Sequence, residues 1–262
     1  MGRRKKLVDQ NHLIIPDTQV KPGVNTSHLE WCGKYIVDSK PDVIVHVGDH
    51  WDMHSLSIYD KGTKKAEGRR YLEDISVGNE AMDLLLGPLR KLQARQKKAK
   101  VKNPYKPRMI FCIGNHEERI MRHVNAHPEL EGTLGYHSLN LDDWEAYDFL
   151  EIVEVDGINY SHYFYNPYTG RPYGGQIDSR LKNVAFSFCQ GHVQGFQYGV
   201  KYLNNGEALS GIIAGSFYTH DESYKGPQGN DHWRGILHLH QVNRGMFDLE
   251  QVSIHRLRNM YG

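Results

Sequence analysis

The sequence predicts an α/β fold in which two sheets pack together between covering helices. In the first half of the chain, short apolar runs each end at a polar turn and lead into a helix-like segment. From Phe149 onward the pattern changes to closely spaced strands with turn signals at Asp156-Gly157, Asn204-Asn205-Gly206 and Asn243-Arg244-Gly245. No linker, repeat or low-complexity stretch interrupts the chain. Residues 12–262 therefore read as one domain behind a basic tail over residues 1–11.

His12 to Pro16 reads as the first strand, ending at Asp17-Thr18-Gln19. Asn25-Thr26-Ser27 offers helix-capping side chains, with Glu30 placed for a capping box, before a helix to about Ser39 that Pro41 ends. Asp42 to Val47 is a second strand, closing at Gly48-Asp49-His50-Trp51-Asp52. Gly68 to Lys100 is helical, with a break or kink expected at Gly87-Pro88. Met109 to Ile113 is a third strand, and Gly114-Asn115-His116-Glu117 follows it before a helix over Glu118 to Asn125. Residues 129–148 read as an insertion with a short helix starting at Asn140-Leu141-Asp142-Asp143-Trp144. Strands are then expected over Phe149 to Val155, Ile158 to His162 and Val184 to Gln190, the last ending at Gly191-His192-Val193-Gln194.

Composition narrows the class. Hydrophobic residues make up 39% and charged residues 24%, as in an ordinary globular domain. No apolar run reaches the roughly eighteen residues that a membrane-crossing helix needs, so no membrane partner is expected. The basic start, Met1 to Lys6, precedes an apolar run too short for a secretory signal. Cys32, Cys112 and Cys189 lack metal or redox spacing and read as reduced core thiols. Together these predict a cytoplasmic protein, in the host cytoplasm if it is viral. The net charge of +1 speaks neither for nor against nucleic acid, but sixteen histidines invite a search for metal ligands.

The strand-end turns supply that search. Asp17, Asp49, Asn115, His162 and His192 each follow an apolar strand, so one sheet edge can gather all five. Carboxylates, an amide oxygen and imidazoles are the donor set for one or two divalent cations of the Mn, Fe or Zn kind. Two such ions about 3.5–4 Å apart, bridged by a carboxylate, are a common device for phosphate ester hydrolysis. His116 can carry a proton near neutral pH. His46, His238 and His240 read as structural or surface groups on strand faces, and His137 is a reserve candidate for the His162 position.

With these motifs in order, the chain resembles the calcineurin-like metallophosphoesterases. That family's D-x-H, G-D-x-x-D, G-N-H-E/D, lone His and G-H-x-H correspond to Asp17-Thr18-Gln19, Gly48 to Asp52, Gly114 to Glu117, His162 and Gly191 to Gln194. The resemblance spans about residues 12–256 and implies a four-layer α/β/β/α sandwich. It implies that Asp49 bridges two metals, that Asn115, His162 and His192 complete one site, and that Asp17, Gln19 and Gln194 face the other. It makes His116 the group that stabilises the phosphate or protonates the leaving oxygen, with Glu117 holding its tautomer and Asp52 behind the ligands. Arg119 extends the turn as in the Ser/Thr phosphatase branch, but Met53-His54 stand where that branch has Arg-Gly. Both histidines expected at the first metal are glutamine. An amide oxygen is a harder, weaker donor than imidazole, so that site is expected to be weak and to prefer Mn²⁺ or Mg²⁺. The competing expectation is that Gln19 and Gln194 hydrogen-bond each other and only the other metal binds.

The substrate is read from two segments. Residues 163–173 leave directly from the His162 strand and form an aromatic loop. Tyr163 and Tyr165 could stack on bases or sugars there, with Arg171 pairing to phosphate and His220 near the same sheet end. Residues 90–108 carry nine basic and no acidic side chains, a surface suited to a DNA or RNA backbone. The favoured expectation is a phosphodiesterase or nuclease, with no protein partner. The alternatives are a phosphomonoesterase acting on a small molecule or phosphoprotein, and a scaffold that has lost catalysis.

Overall fold

The computed structural model describes residues 9–222 and 225–262. Residues 1–8, most of the expected basic tail, lie outside the described part, and Gln10 and Asn11 belong to the first strand rather than to a tail. The elements run β1 (Gln10–Ile15), α1 (Ser27–Ser39), β2 (Val43–His46), α2 (Tyr71–Lys98), β3 (Arg108–Cys112), α3 (Glu118–Ala126), β4 (Glu145–Tyr147), β5 (Val153–Val155) and β6 (Ile158–Ser161). They continue through α4 (Ile177–Val184), β7 (Phe188–Gln190), β8 (Gln197–Tyr202), β9 (Ala208–Ile213), α5 (Gly226–Asn230), β10 (Gly235–Asn243), β11 (Met246–Ser253) and α6 (Ile254–Tyr261).

Two sheets form. The first has the order β11-β10-β1-β2-β3-β4, with β1 to β4 parallel and β10 and β11 antiparallel at one edge. The second has the order β5-β6-β7-β9-β8, with a parallel centre and antiparallel edges. The apolar runs are continuous because both faces of the central strands are buried. Ile14, Val45 and Ile110 point into the layer shared with Tyr160, Cys189 and Ile212 of the second sheet. Their neighbours Leu13, Ile44 and Phe111 point the other way, onto Leu29, Ile36 and Leu85 of α1 and α2. On the far side of the second sheet, Ile177 and Leu181 of α4 cover Phe188 and Ile213. The layers are thus α/β/β/α. All three cysteines are unpaired and buried in these layers.

Several expected elements differ. No helix starts at Asn140; that stretch turns, buries Trp144 against Phe111, and adds β4 beside β3, anchored by Arg108 to Glu145 at 2.8 Å. Proline does not break α2, which runs through Pro88. Instead α1 packs tightly there: a Cβ on Gly33 would lie 2.2 Å from the Leu85 carbonyl and 3.0 Å from the Pro88 ring. Residues 149–152 precede β5 as a turn, with Glu151 N–H donating to the Asp148 carbonyl at 2.9 Å. Val184 ends α4 rather than starting β7, and Ala185 follows in the left-handed region at φ 61°. At the start of α1, Asn25 Oδ1 accepts from Ser27 N–H at 2.8 Å, while Glu30 pairs with Lys34 instead of closing a capping box.

Candidate metal centre

The C-terminal ends of the parallel strands converge. The turn after β1 carries Asp17 and Gln19, and the turn after β2 carries Asp49. Their backbones are stitched together, since the Thr18 and Gln19 N–H groups both donate to the Asp49 carbonyl, at 3.2 and 2.9 Å. Gln19, Asp49, Met53 and His192 adopt left-handed φ values of 41°, 53°, 48° and 64°. Such strain in non-glycine residues gathers where side chains must be aimed at a common point. Two glycines make room for the carboxylates. A Cβ at Gly114 would lie 2.2 Å from Asp49 Oδ1, and one at Gly191 would lie 2.4 Å from Asp17 Oδ1.

Asp49, His162 and His192 each offer a donor atom within 4.8 Å of the others. His162 Nε2 lies 3.4 Å from Asp49 Oδ2 and 2.9 Å from Asn115 Oδ1, and His192 Nδ1 lies 2.6 Å from the same amide oxygen. The Val47 carbonyl accepts a hydrogen bond from His162 Nδ1–H at 2.7 Å, which leaves Nε2 to face the carboxylate. Asp17 Oδ1 accepts from His192 N–H at 3.2 Å. Gln194 Oε1 accepts from the Tyr218 hydroxyl at 2.6 Å. Asp17 Oδ2 and Gln19 Oε1 are buried with no hydrogen-bond partner among the described residues. Gln19 therefore does not accept a hydrogen bond from Gln194, and two orphaned buried oxygens from the turn after β1 are what a cation would satisfy.

The charges agree with that fit. Burial, and then the neighbouring Asp49, push Asp17 up to about 8. His162 is raised to about 9, because Asp49 outweighs the burial that disfavours its charge. Asp49 is lowered despite burial by His116 and His162. His192 is lowered to about 4 by burial and then by His162, so its ring is neutral and keeps one nitrogen lone pair free to bind a metal. Without metal the cluster holds protons where cations belong.

His116 sits at the rim. Its Nδ1 faces Asp52 Oδ1 at 2.7 Å and the Asp52 carbonyl at 2.9 Å, while Nε2 is 3.7 Å from Asp49 Oδ2. Burial opposes its charge, but Asp49 and Asp52 raise its pKa. Asp52, not Glu117, thus holds the tautomer. Glu117 is turned away from His116. Its carboxylate accepts the N–H groups of Asp49 (3.0 Å), His50 (2.6 Å), Trp51 (2.9 Å) and Gly114 (2.9 Å), joining the turns after β2 and β3. The expected roles of these two acids are exchanged.

Other expected residues divide. Arg119 donates to the Asp52 carbonyl at 2.7 Å and reaches His116 Nε2 at 3.3 Å. The Tyr163 ring lies 4.8 Å from that of His192. Tyr165 lines a separate apolar cavity of about 230 Å³, to which Tyr163 also contributes. Arg171 is exposed on the loop and does not line the cleft beside the metal ligands. His220 stacks on Tyr218 and pairs with Glu222 at 2.8 Å, which Lys21 also meets at 2.6 Å. His137 is exposed in a short turn, and His46 is fully buried between Phe111 and His50.

The sequence reading missed that cleft, which measures about 300 Å³. Asn115, Arg119, Arg122, His123, His192 and Tyr163 line it, joined by Tyr59, Lys61 and His127. Arg119, Arg122, His123 and Ala126 follow helical spacing after the Gly-Asn-His-Glu turn, so this basic stripe was readable. Lys21 was also overlooked; it lies 3.4 Å from Asp52 Oδ2.

Comparison with known proteins adds the family. Among solved structures, the chain is similar to an uncharacterised protein of Streptococcus pneumoniae TIGR4 described as a predicted phosphoesterase. The identity is 10% and the TM-score 0.32, covering 94% of this chain and 99% of that one. It is also similar to the NAD nucleotidase of Haemophilus influenzae, at 11% identity and TM-score 0.30, covering 93% of this chain and 49% of that one. Likeness this low carries no inference. No curated protein matches. The model of the calcineurin-like phosphoesterase family matches residues 13–242, most of the chain. The protein belongs to the calcineurin-like phosphoesterases, metal-dependent hydrolases of phosphate esters.

Proposed function

We propose that the protein is a phosphodiesterase acting on a nucleic-acid strand. The observation that carries this reading is the cleft beside the metal ligands: Lys61, Arg119, Arg122, His123 and His127 line it, with Tyr59 and Tyr163 and without any acidic side chain. A phosphomonoester ends at its scissile phosphate and has no use for cations further along. A strand continues through further phosphates, which these groups can pair with while the rings stack on bases. The basic residues 90–108 serve this role less well. They lie at the end of α2 and the start of β3, opposite the strand ends that carry the ligands. Arg90 there is paired with Asp83 and Asp143, and Arg108 with Glu145.

Divalent ions held by Asp17, Gln19, Asp49, Asn115, His162, His192 and Gln194 would supply the positive charge that binds the phosphate and activates water. Mn²⁺ fits best on the glutamine side, where the donors are oxygens. The protein's own groups do the rest. Asp52 holds His116 by Nδ1, and the charges of Asp49 and Asp52 raise the imidazole's pKa against its burial, which suits it to protonate the departing oxygen. Arg119 fixes the Asp52 backbone and adds charge beside His116.

The test compares hydrolysis of an aryl phosphodiester, an aryl phosphomonoester and a single-stranded oligonucleotide with Mn²⁺, using His116→Ala as control. The reading expects faster diester than monoester hydrolysis, lost in the variant. It also expects oligonucleotide cleavage whose KM rises when Lys61 and Arg122 become Ala. Preferred hydrolysis of the monoester would overturn it.

A further inference from the structure

A second group of donors lies on the outer face of the first sheet, under α1 and α6. His238 and His240 are two residues apart on β10 and so share a face. The antiparallel register sets Glu250 of β11 opposite His238 and Asp248 opposite His240. One ring nitrogen of each histidine and one Glu250 oxygen lie within 4.8 Å of one another. The two rings lie close together, with centroids 4.0 Å apart and planes tilted by 31°.

Each group is already aimed. His238 is 3% exposed, and Tyr35 of α1 places its hydroxyl 3.0 Å from Nδ1. The other nitrogen, Nε2, is buried with no hydrogen-bond partner among the described residues. Burial, and then His240, lower His238 to about 4, so its ring is neutral. His240 Nε2 lies 2.9 Å from Glu250 Oε2, and Arg256 of α6 occupies the other oxygen at 2.6 Å. A histidine–carboxylate pair alone would explain His240 and Glu250. It leaves unexplained a second, buried imidazole against the first with one nitrogen unsatisfied. A metal-bound histidine commonly has its other nitrogen held by an outer partner, the position Tyr35 takes here.

We propose that His238, His240 and Glu250 bind a divalent ion of the zinc class, at a site separate from the phosphoester centre. Two imidazoles and one carboxylate suit Zn²⁺, Co²⁺ or Ni²⁺ better than the hard Mg²⁺ or Ca²⁺. Ligands about 2.1 Å from a tetrahedral ion stand about 3.4 Å apart, so His240 and Glu250 need open by only about 0.5 Å. Water or Asp248 completes the shell. The ion ties the β10–β11 hairpin to α1 through Tyr35 and to α6 through Arg256, which makes the site a structural pin.

The experiment titrates the chelator-treated full chain with Zn²⁺ by calorimetry and with Co²⁺ by visible absorption. His240→Ala and Glu250→Gln are run alongside. Both side chains are partly exposed, so neither change threatens folding. The expected result is one fewer ion bound by each variant than by the original chain, with Mn²⁺-dependent ester hydrolysis unchanged. Zn²⁺ should also raise the melting temperature of the original chain more than that of either variant. Equal ion counts in all three proteins would overturn the proposal. The count does not depend on what the other centre hydrolyses.

Discussion

Gly114→Ala is the sharpest test of how the centre is built. The added methyl would lie 2.2 Å from Asp49 Oδ1, 2.3 Å from the Asp49 nitrogen and 2.7 Å from Glu117 Oε2. Ordinary van der Waals contact begins at 3.4 Å, so the turn bearing Asp49 must retreat by roughly 1 Å. The retreat is opposed, because the same turn is held by Glu117 and by the Thr18 and Gln19 amides. Overpacking of this kind costs about 1–3 kcal/mol, which a domain stable by about 5–15 kcal/mol survives. A displacement of about 1 Å in the carboxylate that would hold the metal should cost about 100-fold or more in kcat/KM. Urea unfolding and aryl diester hydrolysis measure these two effects, and Mn²⁺ calorimetry reads whether metal affinity falls with them. Gly191→Ala presses on Asp17 instead, and should weaken only the ion on the glutamine side. If Gly114→Ala kept its metal affinity and lost less than about threefold in rate, the assignment of Asp49 to the centre of the site would be refuted.

Other outcomes follow from the same geometry. Asp17 at about 8 and His162 at about 9 both carry protons at pH 7 without metal, so metal binding should release about two protons there. Calorimetry in buffers of different ionisation enthalpy counts them, and affinity should rise with pH and level off above about 9. Both values lie above the ordinary 3.8 and 6.5, so the folded metal-free protein binds the extra protons. Its melting temperature should therefore fall as pH rises toward 9. Asp52→Asn keeps an acceptor for His116 but removes its charge. The pKa of His116 should drop, the alkaline limb of the kcat profile should move to lower pH, and metal stoichiometry should not change. Converting Gln19 and Gln194 to His should shift preference from Mn²⁺ toward Zn²⁺ in competition titrations, and an unchanged preference would show that these side chains do not ligate.

Much of the fold and the gathering of the candidate ligands was legible in the sequence, because each of them follows an apolar strand and parallel strands carry their turns at one end. What stayed hidden depended on three-dimensional neighbours. Glu117 stands beside His116 in the chain, yet its side chain turns toward the β2 turn while Asp52 comes from that turn to meet the imidazole. Linear charge density singled out residues 90–108 but could not say that they span the end of α2 and the start of β3, away from the strand ends that carry the candidate ligands. The basic face of α3 was within reach of helical spacing, being only a few residues from the most informative turn. Trp144 reads as part of a short helix starting at Asn140, and its burial against Phe111 shows that packing decided otherwise.

The Glu117 carboxylate also bears on how the protein is charged with its ions. With four amides from two turns gathered on one side chain, the distance between Asp49 and Asn115 is set by the chain itself and not by what lies between them. Losing a cation then need not collapse its cage. Taking up a cation would then be an exchange of protons for metal in a receptacle already formed, with no loop to fold first.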